Sequence, residues 1–149
     1  MARRGASFDA WPPLDARSAL SFAPFTASPE GAVAAMLSLA ALRPGETLLD
    51  LGCGDGRVLR AALAWGAGAV VGVELDAALC VEARAALARD THATAQKARV
   101  VCGDCRDAAA DVAAADVVTL FLLPEGLEAL SPMVRVAQTA LTKALFIAR

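Results

Sequence analysis

Apolar runs of four to seven residues recur along the chain at 47–51, 69–74, 99–102, 116–122 and 144–148, and each reads as a short strand. The run at 116–122 has almost no polar interruption, which fits a strand covered on both faces. Between these runs lie helix patterns. The first begins at Ser28-Pro29-Glu30, with a capping hydroxyl, a proline in the first turn and an acid at the positive end; it should run to Leu42 and stop before Pro44-Gly45. A second covers 57–65 and ends at Gly66, and a third covers 77–89 with Leu79, Cys80, Ala83, Ala86 and Leu87 on one face. A fourth covers 125–140. Strands alternating with helices predict an α/β fold, a doubly wound and mostly parallel sheet of Rossmann-like type. Residues 1–27, with Pro12, Pro13 and Pro24, read as an irregular segment before one domain at 28–149.

In such sheets ligands bind beyond the carboxyl ends of the strands. The first strand there runs into LLDLGCGDGR, an acid at Asp50 followed by a turn through Gly52, Gly54 and Gly56. The second, VVGVELD, places Glu74 near its end, where a carboxylate can hold ribose hydroxyls. A dinucleotide turn is spaced G-x-G-x-x-G and faces a pyrophosphate, whereas these glycines fall as G-x-G-x-G. Asp50 and Asp55 beside the turn would repel a pyrophosphate and suit a ligand carrying an ammonium and a sulfonium. S-adenosylmethionine is such a ligand. The other strand ends bring Asp104, Cys105, Leu122, Leu123 and Pro124 to the same edge.

Composition narrows the field. The hydrophobic fraction is 57%, but alanine supplies about a quarter of all residues, so the core should rest on Leu and Val. A net charge of −2, without a Lys/Arg stripe, argues against a general nucleic-acid surface, and no apolar run is long enough for a transmembrane helix. Cys102 and Cys105 have C-x-x-C spacing, but one His and no second such pair exclude a tetrahedral zinc set, so no metal is expected. The four cysteines read as reduced thiols of an intracellular protein.

LLDLGCGDGR, VVGVELD, the Gly103-Asp104 turn and ADVVTLFLLPEG resemble the motifs of class I S-adenosylmethionine-dependent methyltransferases. More narrowly, PFTASPEGAVAAML ahead of the first motif resembles the mitochondrial and prokaryotic protein-lysine methyltransferases that act on the ATP synthase c-subunit and the adenine nucleotide translocase. The resemblance spans residues 22–132 and implies strand order 3-2-1-4-5. It also implies a protein-lysine N-methyltransferase acting on protein, membrane proteins included, in the mitochondrion or the cytoplasm. It assigns the cofactor to Asp50, Leu51, Gly52, Cys53, Gly54, Asp55 and Gly56, with Glu74 on the ribose, Leu75 and Cys105 beside the adenine and Asp104 on its edge. Phe25 and Thr26 would cover the cofactor, Leu122 would flank it, and Phe121, Leu123 and Pro124 would form the wall where acceptor meets methyl, with Glu125 a candidate to orient the amine.

The family pattern continues into a fifth strand and an antiparallel hairpin, while here the likeness fades after Pro132 and VAQTALTKALFIAR diverges. A truncated C-terminus with an open sheet edge is therefore expected. Small-molecule methylation and a non-catalytic cofactor-binding module stand as alternatives. A nucleic-acid amino-methyltransferase is disfavoured, because LLPE stands where an Asn/Asp-Pro-Pro-aromatic motif is expected.

Overall fold

A computed structural model describes residues 30–94, 96–137 and 143–148. The elements run α1 (Glu30–Leu39), β1 (Thr47–Leu51), α2 (Arg57–Trp65), β2 (Ala69–Glu74), α3 (Ala77–Ala88), β3 (Ala98–Cys102), a single 3-10 turn (Cys105–Asp107), α4 (Ala109–Ala114), β4 (Val117–Leu122), α5 (Pro124–Ala137) and β5 (Lys143–Ala148). The strands form one sheet in the order β3-β2-β1-β4-β5, with every neighbouring pair parallel.

Alternation along β1 divides the core. Leu48 packs with Leu37, Leu59, Leu63, Cys80, Ala83 and Leu87 under α1, α2 and α3. Leu49 and Leu51 face the other way, into a cluster with Val112, Leu130 and Val134 from α4 and α5. Both faces of β4 are filled too, since Val117 joins the first cluster and Val118, Leu120 and Leu122 the second. β1 and β4 are neighbours in space although two other strands come between them in sequence, so strand order reverses there.

The structure departs from these expectations in three places. α1 closes three residues before the expected Leu42, because Ala41 turns left-handed at φ +50° and the Leu42 N–H bonds back to Leu37 O at 3.2 Å. The 3-10 turn and α4 were not anticipated; their sequence, CRDAAADVAA, is short and alanine-rich and carries no apolar period. β5 forms in parallel with β4 from Lys143, so the tail that departs from the resemblance still builds the fifth strand.

The N-terminal edge of the sheet is closed by mutual pairing. The Asp116 carboxylate accepts the Thr47 N–H at 2.8 Å, and the Lys143 ammonium reaches Glu46 at 2.8 Å and Ala41 O at 2.6 Å. Partial burial pushes the Glu46 carboxyl up, but hydrogen bonds from Lys143 and the Arg43 N–H, with their charges, hold it below its ordinary value.

Candidate functional site

One row across the sheet sets the floor of the site. Asp50 on β1 stands in register with Gly72 on β2 and Thr119 on β4. A Cβ on Gly72 would lie 2.5 Å from Cys53 Sγ and 2.7 Å from Leu59 Cδ1, so the missing side chain lets the turn after β1 fold back over β2. The Gly52 and Cys53 N–H groups then both donate to Val73 O, at 2.8 and 3.1 Å. Gly52 takes φ +84°, a region that side chains disfavour, and its backbone is exposed between buried Leu51 and Cys53. A Cβ there would also meet Leu122 Cδ2 at 3.1 Å, which places the end of β4 directly against the turn. Gly56 starts α2 at φ +81°, with Ala83 of α3 only 3.2 Å from where its Cβ would stand.

Glu74 fastens this turn to the end of β2. Its Oε2 accepts the Gly54 N–H at 2.8 Å and its Oε1 the Asp76 N–H at 2.9 Å. Each oxygen keeps a second lone pair, so two vicinal hydroxyls can be received without breaking either bond. Asp76 caps α3 through the Ala78 and Leu79 N–H groups, and Leu75 is half-buried between them.

The acids differ sharply in their partners. Asp55 is held by Arg57, whose guanidinium hydrogen bonds keep it below the usual carboxylate range against some burial. Asp104 starts the 3-10 turn and is clasped by Arg106 in the same way, again below the ordinary range. The neighbouring Gly103 N–H donates to Glu74 O at 2.9 Å, which ties the Asp104 turn to the end of β2. Among the described residues Asp50 has no such cation. It is 3% exposed, and burial raises its pKa to about 7; the hydrogen bond from Thr119 at 2.7 Å opposes the rise and the nearby Glu74 charge adds to it. Of the two carboxylates beside the turn, Asp50 is thus buried with a raised pKa, and Asp55 is paired with Arg57.

All four cysteines gather around Glu74. Cys80 donates to Glu74 O at 3.2 Å, Cys102 is opposite Glu74 in the β2–β3 register, and Cys53 and Cys105 flank the turn. Burial raises the Cys80 and Cys105 thiols to about 12 and Cys53 further, so these three stay protonated. Among the described residues no three His, Cys, Asp or Glu side chains come together as a metal-ion site.

At the end of β4 Phe121 is half-buried and Leu122 buried; Leu123 after it is half-buried, and Pro124 and Glu125 are exposed in the first turn of α5. Phe25 and Thr26 lie outside the described residues. Thr119 is the site residue that sequence reasoning missed. A hydroxyl inside a strand covered on both faces must find a partner, and that rule would have pointed to it.

A parallel sheet in this order, with a glycine turn after β1 and an acid closing β2, is the core of the class I S-adenosylmethionine-dependent methyltransferases. Residues 50–146 match the ANTKMT methyltransferase domain, and the chain belongs to that family. The match runs past Pro132 to residue 146, within β5. A protein-lysine N-methyltransferase of Saccharolobus islandicus (strain REY15A) is 34% identical over 110 residues, which are 73% of this chain and 66% of that protein. Among solved structures, an RNA methyltransferase from Salinibacter ruber in complex with S-adenosyl-L-homocysteine is 34% identical, with a TM-score of 0.67 over 73% of this chain and 69% of that one. A precorrin-6y C5,15-methyltransferase from Geobacter metallireducens GS-15, at 16% identity and TM-score 0.70 over 80% of this chain and 63% of that one, shares the fold.

Proposed function

We propose that this chain binds S-adenosylmethionine at the carboxyl edge of its sheet and transfers the methyl group to a lysine amine of a protein. The observation that carries the cofactor reading is the Glu74 carboxylate, fixed by the Gly54 and Asp76 N–H groups beside the exposed Gly52 backbone. Its free lone pairs suit ribose hydroxyls, while Asp50 below the turn suits the cationic methionyl part. Leu75 would pack on the adenine and Asp104 would receive its exocyclic amine, Arg106 yielding part of its grip. The complex of the Salinibacter relative with S-adenosyl-L-homocysteine supports the same ligand.

The bound sulfonium supplies an already activated methyl. What remains for the protein is alignment of the incoming amine, and exclusion of water along the way. Phe121, Leu123 and Pro124 would form the wall along which the amine approaches, with Leu122 flanking the cofactor. A free lysine must first lose a proton, which costs about 4–5 kcal/mol at pH 7, and an apolar wall lowers that cost by disfavouring the ammonium. Glu125, exposed at the start of α5, would orient the amine.

The protein acceptor rests on the Saccharolobus relative and on the resemblance in sequence. The Salinibacter relative, at equal identity, favours a second reading, methylation of RNA. The net charge of −2 counts against it. The purified chain should be offered labelled S-adenosylmethionine with protein extracts, RNA or small amines. Label in lysine, lost in Glu74→Ala, supports the proposal. Label in RNA or small amines alone would replace its acceptor, and Glu125→Gln at full turnover would remove Glu125 from the mechanism.

A further inference from the structure

The buried row Gly72–Asp50–Thr119 contains a group that the methyl-transfer scheme leaves unexplained. Thr119 is 0% exposed and its hydroxyl stands between two acceptors, 2.7 Å from Asp50 Oδ1 and 3.4 Å from Leu49 O. A hydroxyl has one hydrogen to give and lone pairs to receive. With Asp50 ionised, Thr119 donates to Oδ1. With Asp50 protonated on Oδ1, the carboxyl donates to Thr119, whose own hydrogen turns to the Leu49 carbonyl. The same heavy-atom positions therefore satisfy a buried carboxyl in both protonation states.

The other oxygen is left for the pocket. Among the described residues Asp50 Oδ2 has no hydrogen-bond partner, yet no buried side-chain oxygen or nitrogen lacks one, so Oδ2 keeps an opening to solvent. The groups facing Asp50 are Glu74 from β2, the Cys53 thiol from the turn, the Cys105 thiol from the 3-10 turn and Thr119 from β4. None is cationic, and no Lys, Arg or His is paired with Asp50 among the described residues. A ligand cation would bring Asp50 the positive charge that no described residue supplies.

We propose that Asp50 and Thr119 form a proton-linked latch: binding of the cationic methionyl part drives one proton off the Asp50 carboxyl, and the Thr119 hydroxyl turns from Leu49 O to hold the resulting anion. The proposal rests on the S-adenosylmethionine reading and adds to it a positioning residue and a pH dependence. The proton leaves to solvent from Oδ1 or, after exchange, through Oδ2, and no other bond changes. The sign follows from linkage: a ligand that prefers the ionised form binds more tightly as pH rises through the pKa of the empty site, about 7, and levels off above it.

The test is calorimetric titration of the whole chain with S-adenosylmethionine from about pH 5.5 to about pH 8, in pairs of buffers that differ in ionisation enthalpy. Affinity should rise by up to about tenfold per pH unit below the midpoint, with close to one proton released per ligand there. Methylthioadenosine, which keeps the adenosine and lacks both cationic centres, should bind with no proton release. Thr119→Val removes the bond that favours the anion, so the midpoint should move to higher pH; Thr119→Ser should restore it, and Asp50→Asn should flatten the profile. Circular dichroism establishes that each variant is folded. Affinity independent of pH, or proton release with methylthioadenosine as well, overturns the latch and leaves the cofactor reading standing. An unchanged midpoint in folded Thr119→Val removes Thr119 from it. No binding of S-adenosylmethionine or S-adenosylhomocysteine at any pH overturns the cofactor reading and the latch together.

Discussion

Carboxylates stand at both ends of this sheet, and their circumstances are opposite. At the N-terminal edge Glu46 faces the Lys143 ammonium and Asp116 accepts a backbone N–H, so charge and hydrogen-bonding capacity are matched inside the chain. At the carboxyl edge Asp50 and Glu74 are served only by a hydroxyl and by N–H groups, and no cation is paired with either among the described residues. Stability explains the first arrangement. The second costs stability in the empty protein and makes sense as provision for a ligand that brings its own positive charge and hydroxyls. Within the carboxyl edge the same distinction recurs, since Asp55 and Asp104 have Arg57 and Arg106 beside them.

The largest expected effect breaks the binding end alone. Glu74→Ala removes the acceptor of two backbone N–H groups and of the ribose, so affinity for S-adenosylhomocysteine should fall by about a hundredfold or more, on the order of 3 kcal/mol, in calorimetry. An unaltered affinity would put the ligand elsewhere. Next comes the pH dependence of folding. Asp50 has a raised pKa in the folded chain, so its contribution turns unfavourable as pH climbs from about 4 to about 7. Asp50→Asn should abolish that loss and stabilise the empty protein at about pH 8 by roughly 2–3 kcal/mol in urea titrations. Gly72→Ala, pressing on Cys53 and Leu59, should cost about 1–3 kcal/mol and weaken ligand binding with it. The smallest effect belongs to the other edge. Lys143→Met should cost about 1 kcal/mol or less at neutral pH and leave ligand affinity unchanged. Glu46 has a lowered pKa, so this cost is present above the ordinary carboxylate range and disappears as pH falls below about 4.

The pocket's outline was legible because its parts are local. Asp50, Gly52, Gly54 and Gly56 lie within one turn, and Glu74 ends the next apolar run, so spacing alone announces a strand, a tight turn and an acid. Helix ends at Gly66 and strands of continuous Val and Leu were legible for the same reason. Pairing across distance was not. Thr119 looks like any β-branched residue in a strand, and its partner is 69 positions away. The arginines that neutralise Asp55 and Asp104 sit two residues on from each acid, but whether such a pair closes depends on turn geometry rather than on spacing. The weak helix α4 forms because Val112 is buried under the sheet, a tertiary contact with no local signature.

Only one of the four cysteines, Cys102, is exposed, and it stands at the end of β3 opposite Glu74. With the other three thiols buried and protonated, a maleimide dye should attach at a single place without any engineered residue. The chain thus comes with its own attachment point for an optical sensor of the pocket. Saturating S-adenosylhomocysteine should slow the alkylation or change the emission of the attached dye, giving a screen for ligands that needs no knowledge of the methyl acceptor.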